Sequence, residues 1–254
     1  MIIALAAVFG LCIGSFLNVC IHRLPRGESV VSPGSRCASC GTAIRWFDNL
    51  PVVSYLMLGG RCRACGARFS ARYLAVEVIT AAVFAVNAAV FEPGPLLAVR
   101  LVFAAMLVAL FFIDLEHQLL PDAITWPGIV MGLAASLWIG PGLVSSAIGA
   151  ALGAAILLAI RWAWKRATGV DGMGLGDVKM LAMIGAVLGW QQVWFVLFVA
   201  SLTGAVVGVS IAAMGRGSMK TRLPFGTFLA VAALLASCWG EPVIAWYVGL
   251  ITLQ

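Results

Sequence analysis

Two aspartates in a very apolar chain have the residue type and the placement for acid–base chemistry. Asp114 ends the apolar run 101–113, and Asp177 follows residues 172–176, where every second position is glycine. A charged side chain at the centre of a membrane span costs about 2.5–3.5 kcal/mol, so acids at span boundaries usually face a cavity and function there. Two carboxylates that share a proton can act as base on a water and as acid toward a carbonyl, which is the chemistry of aspartic proteolysis. We therefore predict Asp114 and Asp177 as a catalytic pair.

The glycines before Asp177 predict a place where substrate backbone can approach the chain closely. Gly174 and Gly176 lack a Cβ and can adopt positive φ angles, which suits a slot for an extended peptide. Together with Lys179, two residues after the acid, they are the predicted substrate-binding residues. The alternative is a glycine-rich turn in which Asp177 caps the following helix and Lys179 extends its ammonium group toward water.

The composition predicts an all-α polytopic membrane protein. Of 254 residues, 63% are hydrophobic and 10% are charged, which is far from the composition of soluble domains. At about 20 residues per span, the apolar runs predict about eight transmembrane helices, of which the sixth is short and the last is interrupted by Glu241-Pro242. The runs are 1–21, 74–91, 95–113, 122–139, 142–162, 178–190, 192–214 and 225–240, with residues 243–252 as a short interfacial helix.

Basic residues predict the orientation in the membrane. All but one of the 16 lysines and arginines lie in the stretches 22–73, 161–179 and 215–222. With eight spans these stretches share one side, which the positive-inside rule makes cytoplasmic. Both termini are then periplasmic, and Asp114 and Asp177 lie on the same inner side and can meet. The positive charge is explained by topology and by anionic lipid, and it gives no reason to predict a nucleic-acid partner.

Four cysteines in the long loop 22–73 predict a small zinc-binding domain. Cys37 and Cys40 form one CxxC pair, Cys62 and Cys65 form the other, and glycine follows each pair. Two such turns can present four thiolates tetrahedrally, and a metal would supply folding energy to a loop that is poor in apolar residues. The spacer of 21 residues is one longer than usual. Redox or disulfide pairs and unused thiols are the alternatives, and disulfides are disfavoured in the cytoplasm.

Two further polar residues lie inside predicted spans. Asn18 in the first span is expected to hydrogen-bond a neighbouring helix. Glu77 lies about one turn into the second span, where a charged side chain is again costly to place in the membrane. It has either a functional role or an ion pair with an arginine of the loop.

Taken together and in order, these motifs resemble the type IV prepilin peptidases, bacterial inner-membrane enzymes with the GxGD aspartic protease motif. The resemblance runs nearly from end to end, and Thr227 and His22 are small departures from the family's usual residues. The matching segments are residues 14–19, Arg23-Leu24-Pro25, the two CxxC pairs, Asp48-Asn49-Leu50-Pro51, Arg72-Tyr73, Asp114 with Pro121-Asp122, Gly174-Leu175-Gly176-Asp177-Val178-Lys179 and Pro224-Phe225-Gly226.

The resemblance implies two activities in the cytoplasmic (inner) membrane. The family cleaves the leader of type IV prepilins and type II secretion pseudopilins after a glycine, with catalytic aspartates that correspond to Asp114 and Asp177. It then methylates the new N-terminus with S-adenosylmethionine. We expect residues 1–92 to carry the methyltransferase and residues 93–254 the peptidase, although the sequence does not locate the methyl-donor site. A peptidase without methyl transfer and a proton-coupled transporter with a zinc-bound regulatory loop are the alternatives, and the cysteine loop argues against the first.

Overall fold

The computed structural model describes residues 1–214 and 223–252, and all the regular elements in these residues are helices. Residues 215–222, the third basic stretch, lie outside them. The α-helices are α1 (Ile2–Arg23), α2 (Val53–Met57), α3 (Arg72–Val90), α4 (Pro95–His117), α5 (Asp122–Ala135), α6 (Leu143–Thr168), α7 (Leu175–Leu188), α8 (Trp190–Ala213), α9 (Phe225–Leu235) and α10 (Glu241–Thr252). Short 3₁₀ turns cover Leu24–Arg26 and Trp46–Asn49.

The predicted class, an all-α polytopic membrane protein, is confirmed. Each of the eight apolar runs lies largely within a helix, and six helical segments among the described residues are long and apolar enough to cross a membrane. Helices α5 and α7 have 14 residues each, which gives them a length of about 21 Å. A hydrocarbon core is about 30 Å thick, so eight complete crossings remain a prediction.

The last apolar segment differs from the prediction. Helix α9 continues through a π-helical turn, Ala236–Gly240, directly into α10, so the chain does not break at Glu241-Pro242. Pro242 falls in the first turn of α10, a position where proline is tolerated. Gly240 in the π turn lies against the Gln192 side chain of α8, where a Cβ would collide with the amide. The π turn therefore accommodates the close contact with α8, and the helix continues through it.

The chain forms two compact units, Met1–Phe112 and Ile113–Gln254. In the first unit α1 packs along α3. The helices approach closely because Gly10 and Gly14 face α3, and a Cβ at Gly14 would lie 2.7 Å from the Cα of Glu77. Small residues permit such close packing of membrane helices, and here the packing buries Glu77.

Helix α7 is the centre of the second unit, where α5, α6, α8 and α9 all contact it. Every α7 residue from Met180 to Leu188 is buried. A helix that is buried all round is hydrophobic all round, which explains why this run reads as a span despite its length. Gly149 and Gly185 bring the backbones of α6 and α7 together. This packing fixes the start of α7, where Asp177 lies.

Candidate active site and metal centre

Asp114 lies in the last two turns of α4, and its carboxylate meets the start of α9. The residue is 4% exposed. Its Oδ2 accepts a hydrogen bond from the backbone N–H of Thr227 at 2.9 Å, and the backbone N–H of Gly226 donates to the same carboxylate. Because α9 begins at Phe225, both donors belong to its first turn, where a helix favours an anion. A Cβ at Gly226 would lie 2.8 Å from Oδ2, so only glycine leaves room for this acid.

Asp177 is the third residue of α7, and its side chain turns back toward the start of the helix. The carboxylate accepts hydrogen bonds from the backbone N–H of Gly174, which is the N-cap residue, and from its own N–H. This is the acidic half of a capping box. The N-cap residue is Gly174, so the predicted alternative with Asp177 as the N-cap is wrong, although the Asp177 side chain does cap the helix from its first turn. A carboxylate has about four acceptor sites, so capping leaves sites for water or substrate.

The structure brings the two predicted catalytic acids together in the second unit. The carboxylates of Asp114 and Asp177 are close enough to interact electrostatically. Leu120 lies beside both, because a Cβ at Gly176 or at Gly226 would come within 3.0 Å of its side chain. Two like charges in a poorly solvated place cannot both ionise readily, so the pair favours sharing one proton.

The predicted substrate-binding residues have different surroundings. Gly174 is exposed with φ −74°, and a Cβ there would be in ordinary contact with Asp177 Oδ2 at 3.5 Å and the backbone N of Gly176 at 3.8 Å. Gly176 packs tightly on Leu120. Neither glycine has a positive φ angle, so close approach is the reason for glycine at 176. Lys179 Nζ pairs with Asp122 Oδ1 at 2.6 Å, which ties α7 to α5. Substrate contact by these residues remains a prediction.

The four loop cysteines form one cluster. The Sγ atoms of Cys37, Cys40, Cys62 and Cys65 all lie within 4.8 Å of one another, and the four thiols are free. Four thiolates at about 2.3 Å from a tetrahedral zinc would be about 3.8 Å apart. The Sγ atoms of Cys37 and Cys65 are separated by 3.8 Å. The residues therefore fit a zinc ion and could bind one.

The two CxxC turns have the same local structure. In each, the glycine after the second cysteine donates its N–H to the carbonyl of the first cysteine at 2.9 Å. These glycines, Gly41 and Gly66, have φ angles of 71° and 72°. Such left-handed conformations strongly favour glycine, which explains the glycine after each pair in the sequence.

In the comparison with known proteins, two family models match successive parts of the chain. Residues 8–91 match the family model described as bacterial peptidase A24 N-terminal domain, and residues 101–209 match the type IV leader peptidase family. A prepilin leader peptidase/N-methyltransferase of Aeromonas salmonicida is 39% identical over 98% of this chain and 94% of the relative. The chain belongs to the type IV leader peptidase family. A protein of the same name from Pseudomonas putida is 40% identical over 96% of the chain and 92% of its own length. No solved structure matches the chain.

Beyond the motifs shared with the leader peptidase family, the first unit holds a cavity that the sequence did not reveal. Its volume is about 390 Å³, within the range of about 300–1,000 Å³ typical of small-molecule sites. It is lined by α1, α3 and loop residues, and Asn18 and Glu77 are buried in its wall. Both are polar residues inside predicted spans, and this was the one feature of the sequence that pointed to the cavity.

Asn18 and Glu77 have different partners. Asn18 Nδ2 donates to the carbonyl of Tyr73 in α3 at 3.0 Å, so its predicted bond to a neighbouring helix is confirmed. Glu77 Oε2 accepts from the backbone N–H of Val52 at 2.7 Å, and the Ser15 hydroxyl also donates to this carboxylate. Among the described residues no ion pair joins Glu77 to an arginine of loop 22–73, the alternative that the sequence left open. The loop supplies a backbone donor instead of a cation.

A salt bridge organises the loop beside this cavity. The Arg63 guanidinium, between the second pair of cysteines, donates to both carboxylate oxygens of Asp48 at 2.6–3.1 Å. Asp48 belongs to the turn Trp46–Asn49 and also lines the cavity. Arg63 holds the pKa of Asp48 below its ordinary value. The second CxxC turn is thus connected directly to the cavity wall.

Proposed function

We propose that this protein removes the leader peptide of type IV prepilins and type II secretion pseudopilins after a glycine and then methylates the new N-terminus. The observation that carries the proposal is the meeting of Asp114 and Asp177 at helix termini in the second unit. The names of relatives that match nearly the whole chain support both activities.

The acid pair acts in cleavage as one unit. One carboxylate takes a proton from a water that attacks the scissile carbonyl, while the other donates its proton to the carbonyl oxygen. The resulting diol collapses as the leaving amine takes up a proton, which releases the leader and restores the shared proton. Hydrogen bonds from Gly226 and Thr227 hold Asp114 in place, so geometry is fixed before substrate binds.

The substrate's own chemistry explains why this site lies at a membrane boundary. A prepilin presents a basic leader in the cytosol and an apolar helix in the bilayer, so its scissile bond sits at the inner membrane face. The proposal places loop 22–73 in the cytoplasm and both termini in the periplasm. The support is the concentration of basic residues in 22–73, 161–179 and 215–222.

We assign methyl transfer to residues 1–92 and peptidase activity to residues 93–254. S-adenosylmethionine supplies an electrophilic methyl group, and the free amine exposed by cleavage accepts it. Cys37, Cys40, Cys62 and Cys65 hold a structural zinc in this assignment. Their thiols are close enough together for four-coordinate binding, and such an ion would order a loop with little apolar core.

Incubation of the purified full-length protein with a prepilin tests the proposal. Mass spectrometry should show loss of the leader without S-adenosylmethionine, and addition of one methyl group to the trimmed N-terminus when it is present. An intact leader after incubation with folded protein would refute the peptidase. Trimmed but unmethylated product with the donor present would refute the transferase alone.

A further inference from the structure

Glu77 is a buried carboxylate whose partners in the described structure are neutral. It is 8% exposed, lines the cavity of the first unit, and accepts hydrogen bonds from Val52 and Ser15. No ion pair between Glu77 and a basic side chain occurs among the residues that the structure describes. Burial disfavours the ionised form of this carboxylate, whereas the hydrogen bonds donated to it favour that form.

Burial of an ionised carboxylate costs free energy unless a cation compensates its charge. The cavity is open to a ligand of about 390 Å³, so a bound small molecule can provide that cation. The other lining groups define the rest of the ligand. Aromatic rings of Tyr55, Phe69 and Tyr73 line the cavity, and such rings accept flat heterocycles and cationic centres.

Two more features fit a ligand with polar ends. Asn18 Oδ1 is buried without a hydrogen-bond partner in the described structure, and its residue lines the cavity. It can accept a bond from an amino or hydroxyl group of a ligand. Arg36 and Arg61 also line the cavity, and arginine suits a ligand carboxylate.

We propose that this cavity binds S-adenosylmethionine and that Glu77 faces its sulfonium centre. The ligand combines a compact cation, a purine, ribose hydroxyls and an amino-acid carboxylate, which are the groups that the lining can recognise. This assignment rests on the proposed methyl transfer. Because S-adenosylhomocysteine carries a neutral thioether in place of the sulfonium, Glu77 also gives the site a preference for donor over product.

A purely structural role is the competing explanation for Glu77. Its bond to Val52 holds a β-branched residue at φ 61° and ψ −51°, a conformation that persists only where surroundings impose it. Glu77→Gln separates the two roles. The amide oxygen can still accept from the Val52 N–H, but the negative charge is gone.

Equilibrium binding of S-adenosylmethionine and S-adenosylhomocysteine to the full-length protein tests the assignment. Glu77→Gln should weaken the sulfonium ligand about 10- to 100-fold, as expected for loss of a charged partner, and should leave the thioether nearly unchanged. Glu92→Gln makes the same chemical change at an exposed residue outside the cavity, and neither affinity should change.

The outcomes distinguish this inference from the proposed function. If the wild type binds neither ligand, both fail. If it binds the donor and Glu77→Gln weakens both ligands equally, or neither, only the sulfonium assignment fails. A rise in KM for the trimmed pilin with unchanged donor affinity would assign Glu77 to the substrate amine and overturn the inference.

A measurement on the wild type keeps the assignment testable if the variant does not fold. A hydrophobic carbodiimide modifies buried carboxyl groups, and mass spectrometry can follow the labelling of Glu77. Saturating S-adenosylmethionine should protect this residue, whereas labelling of Glu92 should not change. Equal labelling of Glu77 with and without the donor would overturn the assignment.

Discussion

The two units differ in their acidic side chains: in the first unit one acid of the cavity wall, Glu77, is buried, whereas in the second unit two acids lie close together. Glu77 faces neutral donors and a space large enough for a ligand. Asp114 and Asp177 face each other's charge. A lone ionised acid recognises a cation, whereas a pair of acids retains a proton and can move it. We therefore expect the number of neighbouring buried carboxylates to distinguish the chemistry that we propose for the two units.

The two regions also position their acids by different means. In the second unit the donors to the carboxylates are backbone N–H groups at the starts of α9 and α7. In the first unit the donor Val52 belongs to the long loop, in a strained conformation. The cysteine cluster and the Asp48–Arg63 pair connect parts of that loop, and we expect its order to depend on them. Loop damage should consequently affect methyl transfer more than cleavage.

Removal of either paired acid should have the largest effect. Asp114→Asn and Asp177→Asn each prevent proton sharing, so leader removal should fall by at least about 10²–10⁴-fold. Cleavage of a prepilin by equal amounts of purified variants measures this. Asp171→Asn is the matched control, because Asp171 is exposed and pairs with Arg161 and Lys165, away from both acids. It should retain most activity.

The same variants can show whether the two regions are independent. Asp177→Asn, supplied with an already trimmed pilin, should still methylate it, because the acceptor amine is present without cleavage. If this variant is folded and binds the donor but cannot methylate trimmed pilin, the division of activities between residues 1–92 and 93–254 is wrong.

Loss of one cysteine ligand should have the next largest effect. Purified wild type should contain about one zinc per chain, and Cys37→Ser or Cys62→Ser should release it. Because Cys37 also lines the cavity, donor affinity should fall with metal content. Cys12→Ser, a change at an exposed position of α1, should keep both. Wild type purified without chelator that lacks metal would contradict the zinc assignment.

Substitution of Gly226 should have a smaller effect on cleavage, because it displaces Asp114 without removing it. A Cβ there would lie 2.8 Å from Asp114 Oδ2 and 3.0 Å from Leu120, so Gly226→Ala must displace the acid. We expect cleavage to fall about 10- to 100-fold, since misplacement by about 1 Å can cost that much. Gly204→Ala in α8, where the nearest atom is a Phe228 ring carbon at 3.5 Å, should be nearly neutral. Equal rates for both variants would show that Asp114 tolerates the displacement.

Residue type and spacing predict the groups that do chemistry, but the partners of those groups depend on tertiary structure. The two aspartates and four cysteines stand out because each is unusual in its local sequence. The N–H groups of Gly226 and Thr227 are 112 and 113 residues from Asp114, and nothing local marks them as its donors. Similarly, Val52 reaches Glu77 only because the loop folds back onto α3.

The lengths of the helices also could not be predicted from the sequence alone. Hydropathy continues through residues 178–190 as if one span crossed the membrane, yet α7 ends at Leu188 because Gly189 adopts φ 87°. The apolar character of this run reflects burial by four neighbouring helices. An apolar run has the same composition whether lipid or protein surrounds it, so its sequence could not distinguish the two.

The smallest expected effect concerns Asp48, which tests how far loop order alone supports the first unit. Asp48→Asn removes the charge that pairs with Arg63, and methylation should fall about two- to fivefold, as for other partly exposed pairs, with a smaller change in cleavage. Arg63 lowers the pKa of Asp48. The pair therefore stabilises the loop at pH values above the ordinary pKa of aspartate, and this stabilisation is lost as the pH falls through the lowered pKa. Donor affinity of the wild type should therefore drop toward that of the variant only under strongly acidic conditions. Arg63→Lys keeps the charge but not the paired hydrogen bonds, and it should resemble Asp48→Asn if geometry rather than charge orders the loop. Wild-type donor affinity in Asp48→Asn at neutral pH would show that the cysteine cluster orders the cavity without this salt bridge.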